Sequence, residues 1–246
     1  MPEIIPTIIA KTFGEIEKKV RLIEPFVKAV QLDIMDGIFV QNITWPYAGK
    51  EEGQEQKIRD LSNLETKLFL EAHLMTEKPQ QDFGEWLQSP VRRVILHWKA
   101  LEKIHSHELT PYETETGAGF PIKNMASEAH KRRKQFGVAL NLEESIGILS
   151  PFISEIDLVL LMSVNPGLGG QKLEERVFQK ISALRKKYPD VKIEVDGGIN
   201  PENAAKLVEA GADFLAIGSA IYESLNIEQA IKEFKQIAER NSFSSS

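Results

Sequence analysis

Apolar and polar positions along this chain follow two periods that take turns from end to end. Near-continuous apolar runs, the pattern of strands buried on both faces, occupy Ile4–Ile9, Val27–Met35, Lys67–Met75, Val91–Trp98, Phe136–Leu140, Ile156–Val164, Val191–Val195 and Phe214–Ile217. Between them lie stretches with apolar residues every three or four positions, the helical spacing. Phe13–Phe26 is one, with Phe13, Ile16, Val20 and Ile23 on one face, and Gln54–Leu64 and Gln80–Gln88 follow. Asn124–Gln135, Leu142–Leu149, Leu173–Tyr188, Pro201–Ala210 and Ile227–Glu239 complete the series. Local punctuation agrees. Asp36-Gly37 breaks the second strand, Asn200 and Pro201 provide a cap and a first-turn residue, and Gly211 ends that helix. Arg185, Lys186 and Lys187 fall where the macrodipole favours cations.

Strands alternating with helices predict a parallel α/β sheet. An open, doubly wound sheet has the same alternation. The number of units and the 246-residue length, near the about 250 typical of the closed form, favour a single (β/α)8 TIM barrel. No composition break divides the chain, so residues 1–240 form one expected domain, with 241–246 as a disordered tail. One segment breaks the rhythm. His105–Lys123, rich in turn formers, reads as an insertion after the fourth strand, on the face where barrels place their loops. It is either a lid or a surface insertion.

Composition narrows the function. A net charge of −6 argues against nucleic acid or an anionic membrane as partner. A bound anion therefore needs a local cradle. The chain has no cysteine, which rules out disulfides, thiolate ligands and thiol nucleophiles. No apolar run approaches the roughly 20 residues that span a bilayer, and Met1–Thr7 lacks a signal-peptide pattern, so a cytoplasmic protein is expected.

Chemistry-bearing residues gather at the strand ends, where such barrels build their sites. Asp33 and Asp196 each end an apolar run, and His73 ends another. A lone strand-end aspartate is usually a cap. Two of them with a histidine suggest a joint site that moves a proton around a cation. Met35, Met75 and Met162 fall beside these residues, and a soft apolar wall around a reactive intermediate is the expectation. Asn165-Pro-Gly-Leu-Gly-Gly-Gln171, Gly197-Gly198 and Gly218-Ser219 follow consecutive late strands and precede helices. Together they predict a phosphate cradle of backbone N–H groups, although any one glycine pair is weak evidence. His97 either lines the site or is an interior histidine, His105 and His107 read as exposed, and Asp36 as a turn former.

Five segments in order carry a family resemblance. They are Asp33-Ile-Met-Asp-Gly-Ile-Phe-Val-Gln-Asn-Ile-Thr44, Ala72-His-Leu-Met75, Leu160-Leu-Met-Ser-Val-Asn-Pro-Gly-Leu-Gly-Gly-Gln171, Glu194-Val-Asp-Gly-Gly-Ile-Asn-Pro-Glu-Asn-Ala204 and Gly218-Ser-Ala-Ile-Tyr222. Together they resemble ribulose-phosphate 3-epimerases, from Ile4 to about Tyr222 apart from divergent segments at 45–66 and 102–135. The resemblance implies a barrel of the ribulose-phosphate binding type and an isomerase of the pentose phosphate pathway. It interconverts D-ribulose 5-phosphate and D-xylulose 5-phosphate with one divalent ion, zinc, manganese, iron, cobalt or magnesium.

By position, the resemblance makes Asp33 and Asp196 the acid/base pair and metal ligands, with His73 a further ligand and substrate contact. Thr7, Gly167, Leu168, Gly169, Gly170, Gly197, Gly198, Gly218 and Ser219 contact the phosphorylated ketose, and Met35, Met75 and Met162 stabilise the intermediate. Gln31 stands where the family has a second ligating histidine. Thr7 replaces its serine, Ile38 a histidine, Gln41 a proline and Leu168 a phenylalanine. The phosphate cradle is thus kept better than the metal cage. Two readings follow: an active epimerase with an altered metal site, or a catalytically silent barrel that still binds a phosphosugar. A homo-oligomer is left open.

Overall fold

Eight parallel strands close on themselves in chain order in the computed structural model, which describes residues 1–49, 56–104 and 121–242. The strands are β1 (Glu3–Ile8), β2 (Ala29–Met35), β3 (Phe69–Met75), β4 (Arg93–His97), β5 (Gln135–Leu140), β6 (Leu158–Met162), β7 (Lys192–Asp196) and β8 (Phe214–Ile217). Pairing of Ile4 with Leu215 joins β1 to β8 and completes the barrel. The helices are α1 (Phe13–Ile23), α2 (Pro79–Gln88), α3 (Trp98–Glu102), α4 (Pro121–Lys131), α5 (Arg176–Lys187), α6 (Pro201–Ala210), α7 (Ser219–Tyr222) and α8 (Ile227–Ser242). The closed barrel, rather than the open sheet, is the architecture.

Several elements differ from the sequence expectation for local reasons. The stretch expected as a helix over 54–64 is a 3-10 helix at Ile58–Asn63, and residues 50–55 lie outside the described residues. A 3-10 turn at Ile146–Leu149 replaces the helix expected over 142–149. Glu144 accepts from the Asn141 backbone and Ser145 from Gly147, and such side-chain bonds compete with helix formation. Helix α4 begins at Pro121 and stops before Arg133, whose φ of 57° is left-handed. At the C-terminus α8 runs on through Ser242, with Asn241 Nδ2 donating to the Ile237 carbonyl. The expected tail therefore starts inside a helix, and residues 243–246 lie outside the described residues. The expected insertion at 105–123 also lies outside them as far as residue 120, with His105 and His107, while Pro121–Lys123 open α4.

Residues two apart on a strand share a face, and the barrel uses this to sort its side chains. Leu32, Ile34, Leu70, Ala72 and Leu74 pack outward with Ile16, Val20 and Ile23 of α1 in the large core between sheet and helices. A smaller apolar cluster comprises Ile95, Ala139, Leu158, Leu160, Met162 and Val164. The alternate positions of β2, β3 and β7 are polar and buried: Gln31, Asp33, Glu71, His73 and Glu194.

A charged layer is buried with them. Arg93 Nη1 donates to Glu71 Oε2 at 2.5 Å, lies 3.7 Å from Glu194 Oε2, and its Nε donates to Gln135 at 2.8 Å. The Phe69 and Phe214 rings flank the guanidinium at 5.0 and 5.2 Å. Burial, then the neighbouring Glu71 charge, holds Glu194 well above the usual carboxylate range. Arg93 is the cation that offsets two buried acids, and removing it leaves them uncompensated. Arg93→Leu is expected to lower stability by about 3–5 kcal/mol in urea unfolding at neutral pH. Adding Glu71→Gln to that variant is expected to recover part of the loss. An unchanged midpoint in Arg93→Leu would sink this account.

Candidate active site

Strand register places the acids and the histidine together. Asp33 pairs with His73 across β2 and β3, Met35 with Met75, and Met162 on β6 with Asp196 on β7. Thr7 on β1 pairs with Gln31. The side chains then converge. His73 Nδ1 lies 3.3 Å from Asp33 Oδ1 and 3.3 Å from Asp196 Oδ2. Ligand atoms of Asp33, His73 and Asp196 all lie within 4.8 Å of one another, a group that could hold a metal ion.

Gln31 completes the cluster. Its Nε2 donates to Asp33 Oδ1 and to Asp196 Oδ2, each at 2.8 Å, and lies 3.4 Å from His73 Nδ1. Its Oε1 is buried without a hydrogen-bond partner. A half-turn of the carboxamide exchanges donor for acceptor and turns this orphaned oxygen towards the acids. The residues then offer two carboxylates, an imidazole nitrogen and an amide oxygen. That donor set fits a divalent cation, and its oxygen content favours the harder ions.

His73 is fully buried and is not among the residues lining the cavity; it stands behind Asp33 and Asp196. Its Nε2 lies 2.9 Å from His97 Nε2, and the two rings stack at 4.9 Å. Phe39 packs on His97, also at 4.9 Å. One nitrogen of the pair must donate and the other accept, so His97 bears on whether His73 Nε2 carries a proton while Nδ1 faces the acids. His97 is thus part of the site's support. Asp36 instead shapes its turn, accepting from Ile38, Phe39 and Glu77 backbone N–H groups.

Burial and mutual charge set the protonation behaviour. Burial raises the Asp33 carboxyl to about 6; hydrogen bonding to His73 opposes this and the Asp196 charge adds to it. For His73 burial disfavours the cation, but the bonds to Asp196 and Asp33 outweigh it and lift the group to about 9. Burial, then the adjacent His73, holds His97 well below the ordinary imidazole value.

Above the acids lies a cavity of about 330 Å³. Asp33, Asp196, Met35, Met75 and Met162 line one part of it, and Thr7, Gly167, Leu168, Gly169, Gly170, Gly197, Gly198, Gly218 and Ser219 also face it. All three methionines are buried, whereas Leu168 is 67% exposed at the rim. Two glycines are required by their surroundings. Gly198 has a φ of +61°, and a Cβ there would strike the backbone of Leu173. A Cβ on Gly218 would meet Thr7 Oγ1 at 2.8 Å. Ser163 donates from its backbone and its hydroxyl to the Asp196 carbonyl, at 2.8 and 2.9 Å, and holds the end of β7 in place.

Sequence reasoning missed Lys19, Tyr222 and Glu223, which also line the cavity. Lys19 sits between the buried Ile16 and Val20 on α1. A basic residue at the border of an apolar stripe is the signal that could have found it, because a lysine stem can be buried while its head reaches a polar space.

Among the described residues no helix is long and apolar enough to cross a membrane. In overall shape the chain is similar to 3-hexulose-6-phosphate synthase from Salmonella typhimurium, with a TM-score of 0.66 over 97% of this chain and 99% of that one. At 12% identity the likeness is one of fold alone. In sequence it is 33% identical to the chloroplastic ribulose-5-phosphate-3-epimerase of Arabidopsis thaliana, over 94% of this chain and 75% of that protein. It is 31% identical to ribulose-phosphate 3-epimerase of Bacillus subtilis (strain 168), over 96% and 99%. Residues 3–222, which span every strand and each residue of the buried cluster, match the pattern of one family, and the chain belongs to it: the ribulose-phosphate 3 epimerase family.

Proposed function

We propose that the protein epimerises C3 of a phosphorylated ketose, interconverting D-ribulose 5-phosphate and D-xylulose 5-phosphate. The observation that carries the reading is the buried Asp33–His73–Asp196 group beneath a cavity whose other walls are glycine loops. C3 of such a ketose is acidic because it adjoins the C2 carbonyl. One aspartate takes the C3 proton from one face, and the electron pair moves into the carbonyl. The other aspartate, protonated, returns a proton to the opposite face, and the stereocentre inverts. The reverse reaction runs with the roles exchanged, and a further turnover in the same direction first requires the proton to pass back from one aspartate to the other.

Met35, Met75 and Met162 keep water from the reacting carbon, and the glycine loops hold the phosphate through backbone N–H groups. Asp33, His73, Asp196 and, through Oε1, Gln31 are the residues that would hold a divalent ion. When bound, the ion supplies positive charge beside the oxygens that become negative during proton transfer. The reading puts the enzyme in the cytoplasm with its phosphorylated substrate, which does not leave a membrane-bounded compartment unaided. The silent-barrel reading has the Gln31 amide in its favour, since that group already satisfies both acids. Turnover separates the two readings.

Three outcomes are expected. Asp196→Asn should lower turnover about 10³-fold while inorganic phosphate binds no more weakly than to the unmodified protein, because the Asp196 carboxylate makes no phosphate contact and its charge only opposes the anion. Near-normal turnover in that variant excludes the two-base mechanism. Gly218→Val should weaken both inorganic phosphate and the phosphorylated ketose about tenfold or more, since its side chain fills the cradle and displaces Thr7. Equal binding of phosphorylated and unphosphorylated ketose by the unmodified protein would remove the cradle from the argument. Gln31→His replaces an oxygen donor by an imidazole nitrogen, so zinc affinity should rise about tenfold or more relative to manganese. Parallel titrations with the two ions measure this, and no change in their ratio would place residue 31 away from the metal.

A further inference from the structure

We propose that Lys19 is the cation that receives the phosphate end of the substrate, a specificity-determining side chain added to a cradle otherwise made of backbone. The proposal rests on the epimerase reading only for the identity of the sugar; the phosphate contact stands on the cavity itself. Among the described residues lining the cavity Lys19 is the sole basic one, beside Asp33, Asp196 and Glu223. A phosphate dianion entering a space with three acids meets repulsion that backbone N–H groups alone offset weakly. Helix α7, which opens at Ser219 in the cradle, is a four-residue turn, so it has little macrodipole to contribute. A fixed cation supplies what that short helix cannot.

The placement of Lys19 is set from two sides. Its Nζ donates to the Ile9 carbonyl at 2.8 Å and lies 5.2 Å from the centre of the Tyr222 ring. Ile9 and Tyr222 line the same cavity, and Tyr222 is the last residue of the turn that begins at Ser219. An ammonium has three donors, and one is committed to Ile9, which leaves two for an anion. The Tyr222 hydroxyl is buried without a partner and adds a polar atom on the same side. The sugar is thereby oriented: its phosphate lies towards β8 and α1, and C3 lies between the two aspartates.

A merely structural Lys19 would tether α1 to the end of β1 through Ile9. Lys19→Gln separates the roles, since it keeps an N–H donor and removes the charge, and Lys19→Met removes both. Inorganic phosphate titration and steady-state kinetics are the measurements. Both variants should raise the phosphate dissociation constant and the KM for the phosphorylated ketose about tenfold, with kcat changed less than about threefold. Lys19→Arg should stay within about threefold of the unmodified protein. The dependence of phosphate affinity on salt should become shallower without the charge. Unchanged phosphate affinity in both Lys19→Gln and Lys19→Met overturns the proposal, and so does recovery by Gln of what Met loses. An unmodified protein that binds phosphate through Lys19 yet turns over no ketose upholds this assignment and sinks the epimerase reading. Active variants with unaltered phosphate affinity do the reverse.

Discussion

Two carboxylates held against the same imidazole repel each other, and the upper interior of this barrel is arranged around that repulsion. Asp33 and Asp196 come from β2 and β7, which β1 and β8 separate in the closed barrel, with Asp33 buried and Asp196 partly so. Gln31 places an amide N–H group against both, and His73 sets an imidazole nitrogen at 3.3 Å from each. The same problem recurs deeper in the barrel, where Arg93 serves Glu71 and Glu194. The two layers are linked by strand periodicity: Glu71 precedes His73 by two residues, and Glu194 precedes Asp196 by two. One set of inward positions carries both.

The cavity above has two chemistries that must not cancel. On the proposed function its acids serve where a proton moves, yet they oppose the entry of a phosphate. In that reading the glycine loops and Lys19 meet the conflict at the other wall, where they supply local positive potential to a chain whose net charge is −6. Met35, Met75 and Met162, all buried, also line the space.

Family membership and the departure at Gln31 belong in one picture. The fold is shared at 12% identity with a synthase named for a different sugar phosphate, so the barrel alone does not define the reaction. In the proposed function it is the joint placement of Asp33, His73 and Asp196 beneath the glycine loops that defines it. Gln31 sits against all three, with its Nε2 on both carboxylates, and on the proposed function it offers an amide oxygen where the family has an imidazole.

The eight-stranded alternation, the catalytic-end placement of Asp33, His73 and Asp196, the cap at Asn200 and the left-handed stop at Gly211 were legible from sequence, because each depends on local periodicity or on one residue's conformational preference. The short helix expected over 142–149 was not, because side-chain bonds from Ser145 and Glu144 compete with it and periodicity does not register them. The cluster of methionines and glycines was legible as sets, but their meeting in one cavity depends on barrel closure. Lys19 and the His97–His73 contact were decided by tertiary structure alone. Lys19 is separated by a long stretch of chain from the Tyr222 ring it faces, and His97 meets His73 across neighbouring strands through register. Linear sequence carries which residues share a face of an element; only the closed barrel brings different faces to one point in space.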